Sequence, residues 1–201
     1  MVLLTFKKKL FGGEIEFNIY NSNREDTIKI IEVAYKEALR LQKIFNLFDE
    51  NSELSTLNQK RKMRVSSELL HVLKKALTAS RLTRGRYDVT LGKEILKRKK
   101  GIEKLQPKCS YKDVKIKLNI VHLKNENALI DLGSIAKGYI TDKLGEFLRR
   151  KGLQEFMIDS RGDLLFRGNL FHVLGIQHPR DKKKVFCSIK LNNECVATSG
   201  I

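Results

Sequence analysis

Residues 155–200 place the tightest limit on what this chain can fold into. Short apolar runs follow one another there, "EFMIDSRG", "DLLFRG", "FHVLGIQ", "VFCSIKL" and "ECVATSG", and turn dipeptides fall at Arg161-Gly162, Gly168-Asn169 and Asn192-Asn193. Strands this short and this closely spaced pair antiparallel, because a parallel partner needs a crossover of about a dozen residues. The last quarter of the molecule is therefore expected to be sheet.

The first three quarters supply helices to cover it. Residues 14–20, "EIEFNIY", alternate polar and apolar and read as a strand entered through Gly12 and Gly13. From Asp26 to about Leu47 the residues Ile31, Ala34, Ala38, Leu41 and Phe45 recur at helical steps, with Asn23 as N-cap. "FDENSELSTLNQ" breaks the period and reads as a polar loop. A second helix, "SSELLHVLKKALTASRLT", is capped by Ser66 or Ser67, carries Leu69, Leu73, Ala76 and Leu77, and ends at the glycine turn of "TRGRYDVT". Residues 95–108, with Pro107, read as a basic connector. Strands are expected at "VKIKLN", "IVHLKN" and "NALIDLG". A third helix follows from near Ala136, with Ile140, Leu144, Phe147 and Leu148 on one face. The fold class is α+β, a largely antiparallel β-sheet core with packed helices.

A chain of 201 residues with 41% hydrophobic residues can bury one sizeable core, and residues 1–201 are expected to form a single domain. Forty Lys and Arg against 23 Asp and Glu give a formal charge of +17, which biases the surface toward anionic partners. The basic residues are scattered without aromatic interleaving, so a solvated surface is favoured over a nucleic-acid face. Cys109, Cys187 and Cys195 form no CxxC pair. If "CSIKLNNEC" is a hairpin turning at Asn192 and Asn193, Cys195 faces Lys190 and Cys187 is out of register for a bridge. Reduced structural thiols and a cytoplasmic chain are expected, with neither signal peptide nor membrane span.

The stretch "DLGSIAKGYITD", residues 131–142, sets Gly133 and Gly138 around Lys137 where an apolar run gives way to a helix. The N–H groups of a first helical turn favour an anion, and Lys137 adds a full positive charge beside them. The pattern by itself equally allows a turn whose glycines permit tight packing. Asp131 and Asp88 sit at turns, where a carboxylate serves as cap or as ligand. His71, His122, His172 and His178 have no metal-ligand spacing, and the serines lack a nucleophile elbow.

Taken in order, "FGGEIEF", "FDENSELSTLN", "GRYDVTLG", "IDLGSIAKGYITD", "IDSRGDLLFRG", "VLGIQHPR" and "VATSG" resemble the motifs of the ApbE family of FAD:protein FMN transferases. The resemblance runs through almost the whole chain. It implies an ApbE-like, T-fold-related architecture and an enzyme that uses FAD and Mg2+ to move FMN onto a threonine hydroxyl of an acceptor protein, releasing AMP. Alternatives on the same cleft are a non-catalytic FAD-binding protein and an FAD pyrophosphatase. The resemblance puts Phe11 and Phe48 beside the flavin, makes Arg86, Tyr87 and Asp88 an FAD-contacting triplet, adds Asp131 and Lys137 as further cofactor contacts, and lends the Ser134 main-chain oxygen to Mg2+. It names no catalytic residue. Gly13 stands where the family has Thr, Arg86 where it has Ala, and Arg161 where it has the first glycine of a Gly-Gly-Asp turn. Family members continue past "ATSG" into a segment that completes the Mg2+ shell, so weak or absent metal binding is expected of residues 1–201.

Overall fold

The computed structural model describes residues 2–21, 23–102, 108–181 and 183–198. In chain order the elements are β1 (Val2–Leu10), β2 (Gly13–Asn21), α1 (Arg24–Phe45), α2 (Glu53–Lys60), β3 (Lys62–Arg64), α3 (Ser67–Leu82) and α4 (Gly92–Lys99). They continue with β4 (Val114–Lys117), β5 (Ile120–Leu123), α5 (Gly133–Arg150), β6 (Phe156–Asp159), β7 (Asp163–Arg167), β8 (His172–Gln177), β9 (Val185–Leu191) and β10 (Cys195–Ala197). The chain divides into two compact units, Met1–Leu39 with Ile140–Ile201, and Arg40–Tyr139. Among the described residues no helix is long and apolar enough to cross a membrane.

The first unit is built on an antiparallel sheet of order β1-β2-β6-β7-β10. The β1–β2 ladder runs from Val2↔Asn21 to Leu10↔Gly13. Its turn places Phe11 at φ 54° and Gly12 at φ 70°, the left-handed pair that matches the twist of a two-residue hairpin. Strand β1 has no counterpart in the sequence reading, because "KKK" at 7–9 masks its period. Leu4 and Leu10 point inward, and Lys8 between them lays its stem along Tyr35, its ammonium 5.4 Å from the ring centroid. Lysines along an exposed edge also discourage pairing with another chain. Ile31, Ala34 and Ala38 of α1 are fully buried, and Tyr35 Oη donates to the Lys9 carbonyl at 2.7 Å. Asn23 caps α1 as expected, its Oδ1 accepting from Asp26 N at 3.1 Å.

On α5 the expected face holds for Ile140, Leu144 and Leu148, which are buried. An added Cβ at Gly145 would lie 2.5 Å from Leu165 Cδ2, so this helix sits directly on β7. The expected "CSIKLNNEC" hairpin does not form. Strand β9 pairs with β8 in a separate two-stranded sheet, and β10 pairs with β7, so the turn at Asn193 (φ 53°) sends the chain from one sheet to another. Cys109, Cys187 and Cys195 are free thiols.

The second unit holds the sheet β3-β5-β4 and helices α2, α3 and α4. Ser66 caps α3 through Leu69 N at 3.2 Å. Three expectations fail here. The supposed loop 48–59 contains α2, because Ser52 caps it and its polar residues are satisfied inward: Ser55 Oγ donates to the Leu47 carbonyl at 3.1 Å, while Leu54 and Leu57 fill the core. The supposed strand "NALIDLG" joins no sheet: it makes one isolated parallel bridge, Leu91↔Leu129, beside which Leu129 N and Asp131 N donate to Thr90 O and Val89 O. Residues 92–99 form α4 rather than a connector, with Lys97, Arg98 and Lys99 at the helix end that favours cations; Pro107 lies outside the described residues.

Candidate functional site

Helix α5 begins at Gly133, three residues before the expected start, so the whole "GSIAKG" stretch is helical. The approach is anchored from behind. Asn58, 8% exposed, donates from Nδ2 to the Ile130 carbonyl at 2.9 Å and accepts from Ile130 N at 2.8 Å, standing in for a neighbouring strand. Arg61, at φ 64°, donates to the Ala128 carbonyl at 2.7 Å and to the Asn125 carbonyl. On the other side Leu129 N donates to Thr90 O and Asp131 N to Val89 O, at 3.0 and 2.9 Å. Gly92 closes the contact, since a Cβ there would lie 2.7 Å from the Leu129 carbonyl. Asn58 and Arg61 were not singled out from sequence. The available signal was a polar residue at an apolar-face position, Leu54, Leu57 and Asn58 sharing one helical stripe.

Asp131 acts on its own helix. Its Oδ1 accepts from Gly133 N at 2.8 Å, while Ile135 and Ala136 N donate to the Leu132 carbonyl at 3.0 and 2.8 Å. The expected row of outward N–H donors is thus largely satisfied by the chain, and the carboxylate itself complements the helix dipole. Of the two glycines, Gly133 is crowded by Asp131 Oδ1 at 3.1 Å from a notional Cβ, whereas a Cβ at Gly138 would meet nothing within 4 Å. Gly138 therefore serves no packing contact. Beside it Lys137 is half-buried.

The turn "TRGRYDVT" presents its side chains in opposite directions. Tyr87 Oη lies 3.0 Å from Ser134 Oγ, joining two motifs 47 positions apart. Asp88 turns away: Oδ1 accepts from Thr90 N and Oγ1 at 2.9 and 2.6 Å, and Oδ2 from Tyr111 N at 2.7 Å. A cavity of about 530 Å³ opens on that side, with Arg81, Arg84, Cys109 and Lys112 in its wall. Arg86 is exposed. Phe48 is 71% exposed with Lys99 Nζ 5.5 Å from its ring centroid. Phe11 belongs to the first unit, at the tip of the β1–β2 hairpin. The structure thus gathers Tyr87, Asp131, Ser134 and Lys137 around the start of α5, and gives Asp88 to the loop before β4.

Burial pushes the Tyr87 phenol above its ordinary value near 10; the Ser134 hydrogen bond opposes this, and the charges of Asp131 and Asp88 add to it. The folded chain then holds the phenolic proton to higher pH than the unfolded chain does. That contribution is complete below pH 10 and is lost as pH rises through the raised value. Tyr87→Phe is expected to flatten the alkaline fall in stability, read as urea midpoints at about pH 9 and about pH 11. An unchanged slope would count against the burial of Tyr87.

A family-wide sequence model, that of the ApbE family, matches residues 11–201. The chain belongs to the ApbE family. Among its relatives, an FAD:protein FMN transferase of Vibrio cholerae is 25% identical over 76% of this chain and 52% of the relative. Another, from Haemophilus influenzae, is 26% identical over 88% of this chain and 58% of the relative. The chain therefore spans little more than half the length of these curated relatives. In fold it is similar to the ApbE protein of Thermotoga maritima, with TM-score 0.86 and 23% identity over 99% of this chain and 71% of that one. It is also similar to the flavin transferase ApbE of Vibrio cholerae, with TM-score 0.80 and 18% identity over 100% of this chain and 72% of that one. The α+β, largely antiparallel architecture expected from sequence is that of ApbE structures.

Proposed function

We propose that this ApbE-family chain binds FAD and carries the transfer of its FMN half to a threonine hydroxyl of an acceptor protein. The observation that carries this reading is the Tyr87–Ser134 hydrogen bond, which brings the motif "GRYDVTLG" onto the helix start of "IDLGSIAKGYITD". Two family motifs converge there, beside Lys137 and a glycine whose β-position is open.

In this reading Lys137 and the α5 dipole offset charge on the FAD pyrophosphate, and the bare face at Gly138 lets the phosphates approach the backbone. Tyr87 and Ser134 lend hydroxyls to the same end of the ligand, and Arg86 supplies a cation at the turn. Asp131 and Asp88 act one step back, the first by ordering the helix start, the second by tying the turn to Tyr111. Phe11 and Phe48 are the flavin-side aromatics. The acceptor oxygen forms a bond to the FMN phosphorus as the pyrophosphate P–O bond breaks; AMP departs with the electron pair and the hydroxyl proton is released. Positioning and charge neutralisation carry such a step more than covalent help.

The resemblance also implies Mg2+. Ser134 lies inside α5, where its carbonyl serves the helix ladder, and among the described residues no three His, Cys, Asp or Glu side chains are grouped to hold a metal. These residues alone do not fit Mg2+, and no step here runs through it.

The test incubates the protein with FAD, Mg2+ and an acceptor bearing the flavinylation threonine. Expected is acceptor mass increased by FMN together with AMP release. FAD bound without product would instead support a non-catalytic binding protein, and FMN and AMP formed without acceptor would support a pyrophosphatase.

A further inference from the structure

Two residues at neighbouring turns of the first unit are each locally disfavoured, and each accounts for the other. Arg161 stands in the β6–β7 turn at φ 59°, a conformation that costs a non-glycine residue about 1 kcal/mol or more. Gly13, by contrast, opens β2 with an ordinary φ, so nothing in its backbone calls for glycine. What calls for it is volume: a Cβ at position 13 would lie 2.6 Å from Arg161 Nε and 2.8 Å from Cδ. The arginine side chain runs through the space that any other residue at 13 would fill. It ends with Nη1 donating to the Phe11 carbonyl at 2.6 Å.

The β6–β7 turn is itself held at both sides. Gly162 N donates to Asp159 Oδ1 at 2.9 Å, and Thr198 N and Oγ1 donate to the Gly162 carbonyl at 3.3 and 3.1 Å. Arg161 thus reaches from an anchored turn to the tip of the β1–β2 hairpin, where Phe11 sits at φ 54°. A charge-assisted bond to that carbonyl fixes the peptide plane following Phe11 and so the backbone from which its ring projects.

We propose that Arg161 is a positioning residue for flavin binding, acting through the Phe11 carbonyl, and that Gly13 is the space this strut requires. The inference rests on the reading of Phe11 as a flavin-side aromatic. It makes the Gly13–Arg161 pair a device of this chain, since a Cβ at 13 would displace the Arg161 side chain from this path.

The test is FAD titration, followed by quenching of flavin fluorescence, of the wild type, Arg161→Gly, Phe11→Leu and the double variant, each checked for folding by a thermal melt. Arg161→Gly is expected to weaken FAD about tenfold and to relieve the quenching, with Phe11→Leu adding less than about twofold on top of it. Arg161→Lys keeps a donor for the carbonyl and should stay within about threefold of wild type. Gly13→Ala, which evicts the guanidinium while leaving residue 161 intact, should reproduce the loss. Wild-type FAD binding with Arg161→Gly or Gly13→Ala unaffected, or with additive effects of Arg161→Gly and Phe11→Leu, overturns this inference alone. Wild-type protein that binds no FAD overturns the functional reading and this inference together.

Discussion

Asn58→Ala is expected to lower folding stability by about 2–4 kcal/mol, because it strands a buried N–H and a buried carbonyl at once. Asn58 spans both backbone groups of Ile130, at 2.8 and 2.9 Å, and Ile130 is itself fully buried. Each orphaned group costs roughly 1–3 kcal/mol, while the cavity left by a short polar side chain adds little. For a chain of this size the same loss corresponds to roughly 5–12 °C in melting temperature. Urea denaturation measures it. Asn58→Asp retains an acceptor for Ile130 N but sets a buried carboxylate against Ile130 O, so a loss at least as large is expected at neutral pH. If Asn58→Ala melts within about 2 °C of wild type, the clamp is not what holds residues 128–132 in place.

Lys137→Ala is expected to weaken FAD binding about tenfold, or about 1.4 kcal/mol. A unit charge about 4 Å from a phosphate is worth about 4 kcal/mol at an effective dielectric of about 20, and the ammonium's own desolvation offsets much of that. Asp131 already sits against the helix start at 2.8 Å from Gly133 N, so the dipole alone would be a weak anion site. The lysine supplies the surplus positive charge. Lys137→Arg should remain within about threefold of wild type, and the Lys137→Ala deficit should shrink between about 0.05 M and about 0.5 M salt as the pair is screened. Unchanged affinity in Lys137→Ala would remove the pyrophosphate from this end of α5.

The amphipathic elements were legible because each satisfies its own period. Helices α1 and α3, with their Asn23 and Ser66 caps, and the strands from Phe156 onward follow from local apolar spacing and turn residues. What escaped were elements whose inward faces carry polar groups. Strand β1 is hidden by Lys8, whose apolar stem faces inward although its charge does not, and α2 is hidden by Ser55 and Asn58, which are buried because they have partners elsewhere. The site divides the same way. "DLGSIAKGYITD" declared a helix start with a cation, but whether its glycines served packing or approach was undecidable from spacing. The structure separates them, with Gly133 crowded by Asp131 and Gly138 open.

Local spacing and composition by themselves determined an α+β chain with a largely antiparallel sheet and a helix start rich in glycine around Lys137, while the ordered motifs added a resemblance to the ApbE family. Only the tertiary structure decided that Tyr87 meets Ser134, that Asp88 serves Tyr111 instead of facing the same way, and that Asn58 stands in for a strand beside Ile130. It also decided that Arg161 fills the space beside Gly13. The physical reason is range. Periodicity and capping act within a few residues, whereas a buried donor or an excluded volume is settled by whichever distant segment comes to lie against it, 72 positions away for Asn58 and 150 for the bond from Arg161 to Phe11.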